Sequence, residues 1–172
     1  MSSTDQPQNQ TQTPEFTLEN IKQAINLLYS NQNPEQISIV NKFLQTAQRS
    51  KIAWDIAFVL IEDNESIMTQ HYGASTLTEK IRYHFNEIPQ EMLNELRDKI
   101  LEKIVQTGEN GKCKIITTKL CVALASLASQ MIAKDIWTNV VQYVVENLLK
   151  SCIPLKKKNF KVLKKSKISK SN

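Results

Sequence analysis

Glycine and proline are scarce in this sequence, with three glycines and five prolines among 172 residues. Tight turns depend on these two residues, and a β-sheet protein needs many such turns. The scarcity therefore favours helices over a sheet. The hydrophobic fraction of 41% is enough to form a core. We expect one ordinary domain or a short run of repeats.

Paired cysteines are also lacking. Cys113, Cys121 and Cys152 have no regular spacing, which predicts reduced thiols rather than disulfides. They also lack the two-residue separation of a zinc site, so we expect no metal and assign His71 and His84 to a helix surface. Cys121 belongs to an apolar stretch and is predicted to be buried there.

Motifs for catalysis are absent. The sequence contains no nucleophile elbow, no glycine-rich phosphate loop and no paired-histidine protease motif. Glu91, Glu95, Asp98 and Glu102 recur at helical spacing, which is typical of a solvated face. We therefore expect a binding protein without cofactor or small-molecule substrate. The opening residues, MSSTDQPQNQTQT, have no hydrophobic stretch and predict no secretory signal.

Acidic residues are missing from the end of the chain. All 17 lie at or before Glu146, whereas nine of the 22 basic residues lie at or after Lys150. The part before Lys150 is thus mildly acidic, which argues against a nucleic-acid groove there and permits a basic protein partner. The lysine-rich end fits a nuclear-localisation or nucleic-acid patch, a membrane-surface patch, or unselected sequence, and we favour the last.

The stretch from Ile115 to Met131, IITTKLCVALASLASQM, is apolar on nearly every side. A helix of that kind is buried. Lys119, Ser126 and Ser129 interrupt it, and it falls short of the roughly 20 apolar residues that cross a bilayer. We predict a central helix with neighbours on at least two sides, and no membrane insertion.

Six further helices are predicted around it. Thr17 is the expected N-cap of the first, which ends near Ser30, and Asn33-Pro34 begins the second. Ser50 is expected to cap the third, residues 65–86 to form the fourth, Pro89 to begin the fifth, and Asp135 to cap the seventh. Gly73, in the middle of the fourth, predicts a close backbone approach. We place a disordered arm at residues 1–16, the helical domain at 17–149 and a disordered tail at 150–172.

The helices are expected to pair as one with two, three with four, and five with six. The odd-numbered helices start near Leu18, Ile52, Pro89 and Ile136, at intervals of 34, 37 and 47 residues. HEAT-type helical hairpins run to about 40–47 residues and are often irregular. We therefore predict an all-α fold: an α-solenoid of about three and a half HEAT-type hairpins.

Three segments in order resemble the N-terminal region of the importin-beta family of transport receptors. They are QRSKIAWDIAFVLI (48–61), HYGASTLTEKI (71–81) and TTKLCVALASLA (117–128). The resemblance implies a HEAT-repeat superhelix that binds the small GTPase Ran in its GTP form. It also implies shuttling between cytoplasm and nucleus, with protein cargo and nucleoporins as partners of the full-length family.

Partner-binding residues are predicted on the second helix of each hairpin, from helical angle and not from a family motif. The fourth helix is expected to turn a stripe of polar and aromatic side chains outward, with tyrosines as anchors. The candidates are Lys42, Thr69, Tyr72, Thr76, Glu79, Lys80, Tyr83, Thr118 and Lys119.

Two alternatives accompany this hypothesis. The tyrosines can instead pack on an adjacent repeat, and Lys119 can lie along a neighbouring helix. The rival function is a general helical-repeat scaffold for another protein or for nucleic acid. Family members contain some twenty repeats, so we expect a truncated isoform or a gene model that continues into non-coding sequence.

Overall fold

The computed structural model describes residues 15–30, 33–64, 66–109 and 114–149. These form seven α-helices and two 3-10 turns, with no strand among them, which confirms the all-α prediction. The helices are α1 (Leu18–Ser30), α2 (Pro34–Arg49), α3 (Ala53–Ile61), α4 (Ile67–Tyr83), α5 (Leu93–Glu109), α6 (Lys114–Ala133) and α7 (Val140–Leu149), and the 3-10 turns are Phe85–Glu87 and Gln90–Met92. The predicted tail at 150–172, and residues 1–14 of the predicted arm, lie outside the described residues.

The chain divides into two compact units, with the boundary after Ile52. The first contains the hairpin of α1 and α2. Thr17 caps α1 through its hydroxyl, which accepts from the Asn20 N–H at 3.2 Å, and Asn33 caps α2 immediately before Pro34. Both predicted helix starts are therefore confirmed.

The core of this first unit is small. Five apolar side chains from the two helices are buried: Ile21, Ala24, Ile25, Leu44 and Ala47. The ring of Phe16, a residue predicted to be part of the arm, lies 5.4 Å from the ring of Phe43.

The second unit contains α3 to α7. Here α3 packs against α4, and α5 against α6, so the three predicted helix pairs are confirmed. The hairpins meet through α4 and α6, the second helix of each pair, as in stacked helical repeats. Their shared core includes Leu77 and Ile81 of α4, Ile100 of α5, and Leu120 and Leu127 of α6.

Helix α6 has the central position that its composition predicted, with α4 and α5 as neighbours. By length and hydropathy it could also cross a membrane, but Ile116, Leu120 and Leu127 have no exposed surface because they pack inside the protein. The prediction of a buried Cys121 was wrong, since its side chain is exposed. Two helical neighbours cover only part of a helix, and Cys121 lies on the side they leave open.

Two predicted N-caps instead end the preceding helix. Ser50 caps the C-terminus of α2, and its hydroxyl donates to the Ala47 carbonyl at 2.6 Å. Asp135 adopts a left-handed φ of 55° just after α6. The Asp135 and Ile136 N–H groups donate to the carbonyls of Ile132 and Met131 at 3.0 and 2.9 Å, which is a Schellman ending. Short polar side chains can cap either end of a helix. Their presence in the sequence therefore did not show whether Ser50 and Asp135 end one helix or begin the next.

Between α4 and α5 the chain is tighter than predicted. Helix α4 begins after its N-cap Ser66 and ends at Tyr83 rather than at Asn86. The 3-10 turn Phe85–Glu87 follows, and Pro89 precedes the second 3-10 turn rather than α5 itself. These turns place the carboxylate of Glu87 next to the side chain of Lys80.

Gly73 lies where α4 crosses α3 at close range. A Cβ atom at this position would be 2.8 Å from the Ala57 carbonyl oxygen, 2.8 Å from the Leu60 Cβ and 2.9 Å from the Ile61 nitrogen. Two of these atoms are backbone, so they cannot move without shifting α3. The predicted close approach is confirmed, and glycine is required because any side chain would separate the two helices.

Two glycine-to-alanine substitutions test the close contact at Gly73. Gly73→Ala should lower the free energy of unfolding by about 1–3 kcal/mol, the usual cost of overpacking. Gly108→Ala, in α5, meets nothing within 4 Å and should raise it by up to about 1 kcal/mol through helix propensity. Urea unfolding followed by tryptophan emission measures both, because Trp54 and Trp137 belong to the second unit. Equal effects of the two substitutions would contradict the close-packing account.

Candidate functional site

Helix α4 exposes a narrower stripe than predicted. Glu79 is exposed, Tyr83 is 71% exposed and Tyr72 is half-buried. The outward orientation was wrong for three other candidates, because Thr69 and Thr76 are 2% exposed and Lys80 is 0% exposed. Since α4 packs against α3 on one side and α6 on the other, its buried arc is wider than the single apolar stripe suggests.

The buried polar groups of α4 have internal partners. The Thr69 N–H donates to the hydroxyl of the N-cap Ser66 at 3.2 Å. Burial raises the pKa of the Tyr72 hydroxyl, and a hydrogen bond with Thr76 opposes that shift. Ser66 therefore caps the start of α4, and Tyr72 is tied to the buried Thr76 at the edge of the exposed stripe.

Lys80 is the buried member of a charged cluster whose other charged members, Glu87 and His84, are partly exposed. Its Nζ donates to the Glu87 Oε2 at 2.5 Å and lies 5.3 Å from the centroid of the Trp54 ring. The same carboxylate accepts from the Trp54 Nε1 at 3.0 Å, and its Oε1 lies 3.0 Å from the His84 Nδ1. The Lys80 hydrogen bond is the largest cause of the lowered pKa of Glu87. Lys80 thus fixes the turn after α4 and is not available to a partner.

Helices α4 and α6 form one open face. The Arg82 Nε donates to the Ser126 Oγ at 3.3 Å across the two helices. Burial lowers the pKa of His71, and the nearby charge of Lys119 lowers it further, so Lys119 lies at the α4 side of α6. Glu79 precedes Arg82 by three residues, a spacing that places both on one side of the helix.

We call this surface the α4/α6 face and define it by its members: His71, Tyr72, Glu79, Arg82 and Tyr83 of α4, with Lys119, Val122 and Ser126 of α6. Its charges are mixed, because it includes the carboxylate of Glu79 and the cationic side chains of Arg82 and Lys119. The exposed aromatic ring of Tyr83 and the exposed side chain of Val122 add apolar surface. A face with a tyrosine, an arginine and apolar patches suits a protein partner.

Two further candidates, Thr118 and Lys42, are described by their own helices. Thr118 is exposed on α6, where its hydroxyl donates to the Lys114 carbonyl at 2.8 Å. Lys42 is exposed on α2 in the first unit. Arg82 is a member of this face that sequence reasoning missed, although its spacing of three residues from Glu79 was a sufficient signal.

The described residues contain no group of three histidine, cysteine or acidic side chains that could hold a metal ion. His84 instead contacts Glu87, and His71 lies beside Lys119.

Comparison with known proteins gives the family. Residues 40–106 match the importin-beta N-terminal domain. This chain carries the N-terminal domain of the importin-beta family. Importin-13 of Bos taurus and Importin-13 of Homo sapiens are each 34% identical to it over 131 residues. Importin-13 homolog A of Dictyostelium discoideum is 28% identical over 135 residues.

The similarity covers most of this chain but little of each relative. The two Importin-13 alignments span 76% of this chain and 13% of the relative, and the Dictyostelium alignment spans 77% and 12%. The importin-beta N-terminal domain match includes the whole of α4, and therefore the Glu79 and Arg82 side of the α4/α6 face.

The charged cluster behind this face leads to a stability prediction. Glu87→Gln removes the carboxylate that neutralises the buried Lys80, so the free energy of unfolding should fall by about 1–3 kcal/mol at neutral pH. Glu79→Gln, an exposed control on α4, should change it by less than about 0.5 kcal/mol. Urea unfolding followed by circular dichroism measures both.

The effect of Glu87→Gln should depend on pH. The folded protein lowers the pKa of Glu87 from its ordinary 4.5. The contribution of this carboxylate to the free energy of unfolding is therefore fully present above pH 4.5 and is lost as the pH falls through the pKa of Glu87 in the folded protein. The difference between wild type and Glu87→Gln should therefore shrink in acid. A difference that does not change with pH would contradict the role of the ion pair.

Proposed function

We propose that this chain is the N-terminal part of a nuclear transport receptor and that it binds Ran in its GTP form through the α4/α6 face. The match of residues 40–106 to the importin-beta N-terminal domain carries the proposal. The chain acts by binding rather than by catalysis. In a cell it would shuttle between cytoplasm and nucleus in the import of proteins.

The geometry supports this choice of surface. The α4/α6 face belongs to the second helices of two adjoining hairpins, and the Arg82–Ser126 hydrogen bond joins them. Binding to a rigid, preformed surface costs less ordering entropy than binding to a mobile one. Tyr83 and Arg82 are of the residue types that most often dominate binding energy at interfaces.

Other partners belong to the longer proteins of the family. The chain spans 13% of the length of the two Importin-13 relatives. We therefore propose protein cargo and nucleoporins as partners of a receptor that contains more repeats than those described in this chain.

A binding experiment tests the proposal. Immobilised Ran loaded with a non-hydrolysable GTP analogue should retain the 172-residue chain, and Ran loaded with GDP should not. Arg82→Glu and Lys119→Glu should each weaken binding about 5- to 50-fold, the range expected for charged interface residues. Lys99→Glu, a charge reversal of an exposed lysine on α5, is the matched control and should bind like the wild type.

Two results would overturn the proposal. Equal retention on GTP-loaded and GDP-loaded Ran would remove the Ran-GTP function. Salt-sensitive nucleic-acid binding that also requires Arg82 and Lys119 would favour the rival scaffold function, because phosphate contacts produce such salt dependence.

A further inference from the structure

A concave surface separate from the α4/α6 face lies on the first helices of the hairpins, in the groove between α3, the two 3-10 turns and α5. It encloses about 260 Å³, slightly less than the roughly 300–1,000 Å³ of small-molecule sites. Its walls are apolar: Trp54, Phe58, Ile88, Met92 and Leu96. A space of this size suits one or two side chains of a protein rather than a cofactor.

The Trp54 wall of the groove is preformed. The Trp54 Nε1 donates to the Glu87 Oε2 at 3.0 Å, and the Lys80 Nζ lies 5.3 Å from its ring centroid. Its indole is only partly buried, so the ring is held in one orientation while still lining open space. A flat, fixed aromatic wall is the surface on which a planar cation stacks.

The rim of the groove is acidic. Asp55, Glu87 and Glu95 line it, with Lys99 as the one basic lining residue. Glu87 is already neutralised by Lys80, but Asp55 makes no ion pair with the residues that the structure describes. The Lys99 Nζ lies 2.8 Å from the Glu95 Oε1, and both side chains are more than half exposed. Such a surface pair contributes little, so an incoming cation can displace Lys99.

Elsewhere in this chain, aromatic rings and a carboxylate surround an arginine side chain. The Arg97 guanidinium lies 4.0 Å from the Tyr143 ring centroid and 5.2 Å from the Trp137 ring centroid. Its Nε and one terminal nitrogen donate to the two oxygens of Asp98 at 2.8 and 3.2 Å. Aromatic walls with a carboxylate at the edge therefore accommodate arginine in this fold.

We propose that the groove between α3 and α5 binds an arginine side chain presented by an extended peptide segment of a partner protein. The guanidinium stacks on Trp54 and pairs with Asp55 and Glu95, while its methylene groups pack against Met92 and Leu96. Arginine is favoured over lysine because its planar group both stacks and pairs bidentately. The proposal stands apart from Ran binding, because no residue of the groove belongs to the α4/α6 face.

Peptide titration of the 172-residue chain tests this proposal. The probe is acetyl-Gly-Ser-Arg-Leu-Ser-Gly-amide, and the readout is tryptophan emission, to which Trp54 in the groove and the buried Trp137 both contribute. We expect a saturable change. The same peptide with citrulline, which keeps the shape but lacks the charge, should bind about tenfold more weakly, and the lysine peptide should also be weaker.

Variants locate the site. Asp55→Asn and Glu95→Gln should each weaken the arginine peptide about three- to tenfold through loss of a charged partner, whereas Lys99→Ala should tighten it by releasing Glu95. Glu79→Gln, an exposed carboxylate on the α4/α6 face, is the control and should leave binding unchanged. Equal binding of the arginine and citrulline peptides, or equal effects of Glu95→Gln and Glu79→Gln, would overturn the proposal.

Discussion

The burial of α4 on two sides is the constraint on which the second unit depends. On one side Gly73 brings the α4 backbone against Ala57, Leu60 and Ile61 of α3. On the other side Leu77 and Ile81 join the core that α6 completes. Because protein interiors are close-packed, neither contact can loosen without affecting the other. The orientation of α4 therefore sets both the α4/α6 face and the groove beside α3.

The same constraint explains why a lysine is buried in a helix that also presents charged groups outward. Lys80 lies on the α3 side of α4, where its Nζ contacts the Trp54 ring, and it pairs with the carboxylate of Glu87 in the adjoining 3-10 turn. Replacing Glu87 would take this charged partner away from the buried Lys80, which is destabilising. The pair fixes the position of Trp54, so the geometry of the groove follows from the packing of α4.

Much of the helical organisation was predictable from sequence, because it depends on local periodicity and on a few backbone rules. The helix pairs, the central position of α6, the caps at Thr17 and Asn33, and the close approach at Gly73 were all predicted. The wrong predictions concerned which side chains of a helix are covered by the adjacent helices. Thr69, Thr76 and Lys80 have polar side chains but are buried, and no periodicity in α4 reveals a second packed side. The roles of Ser50 and Asp135 depended on backbone geometry that follows from the tertiary fold.

We propose that α4 and α6 act together as one face that recognises Ran in its GTP form. Hydrogen exchange of the 172-residue chain, with and without Ran, tests it most directly, because amide protection reports local opening along each helix. GTP-loaded Ran should slow exchange in α4 and α6 together, with α3 and α5 little changed, and GDP-loaded Ran should leave all four as they are. Protection confined to α3 and α5, or the same pattern with either nucleotide, would contradict the account.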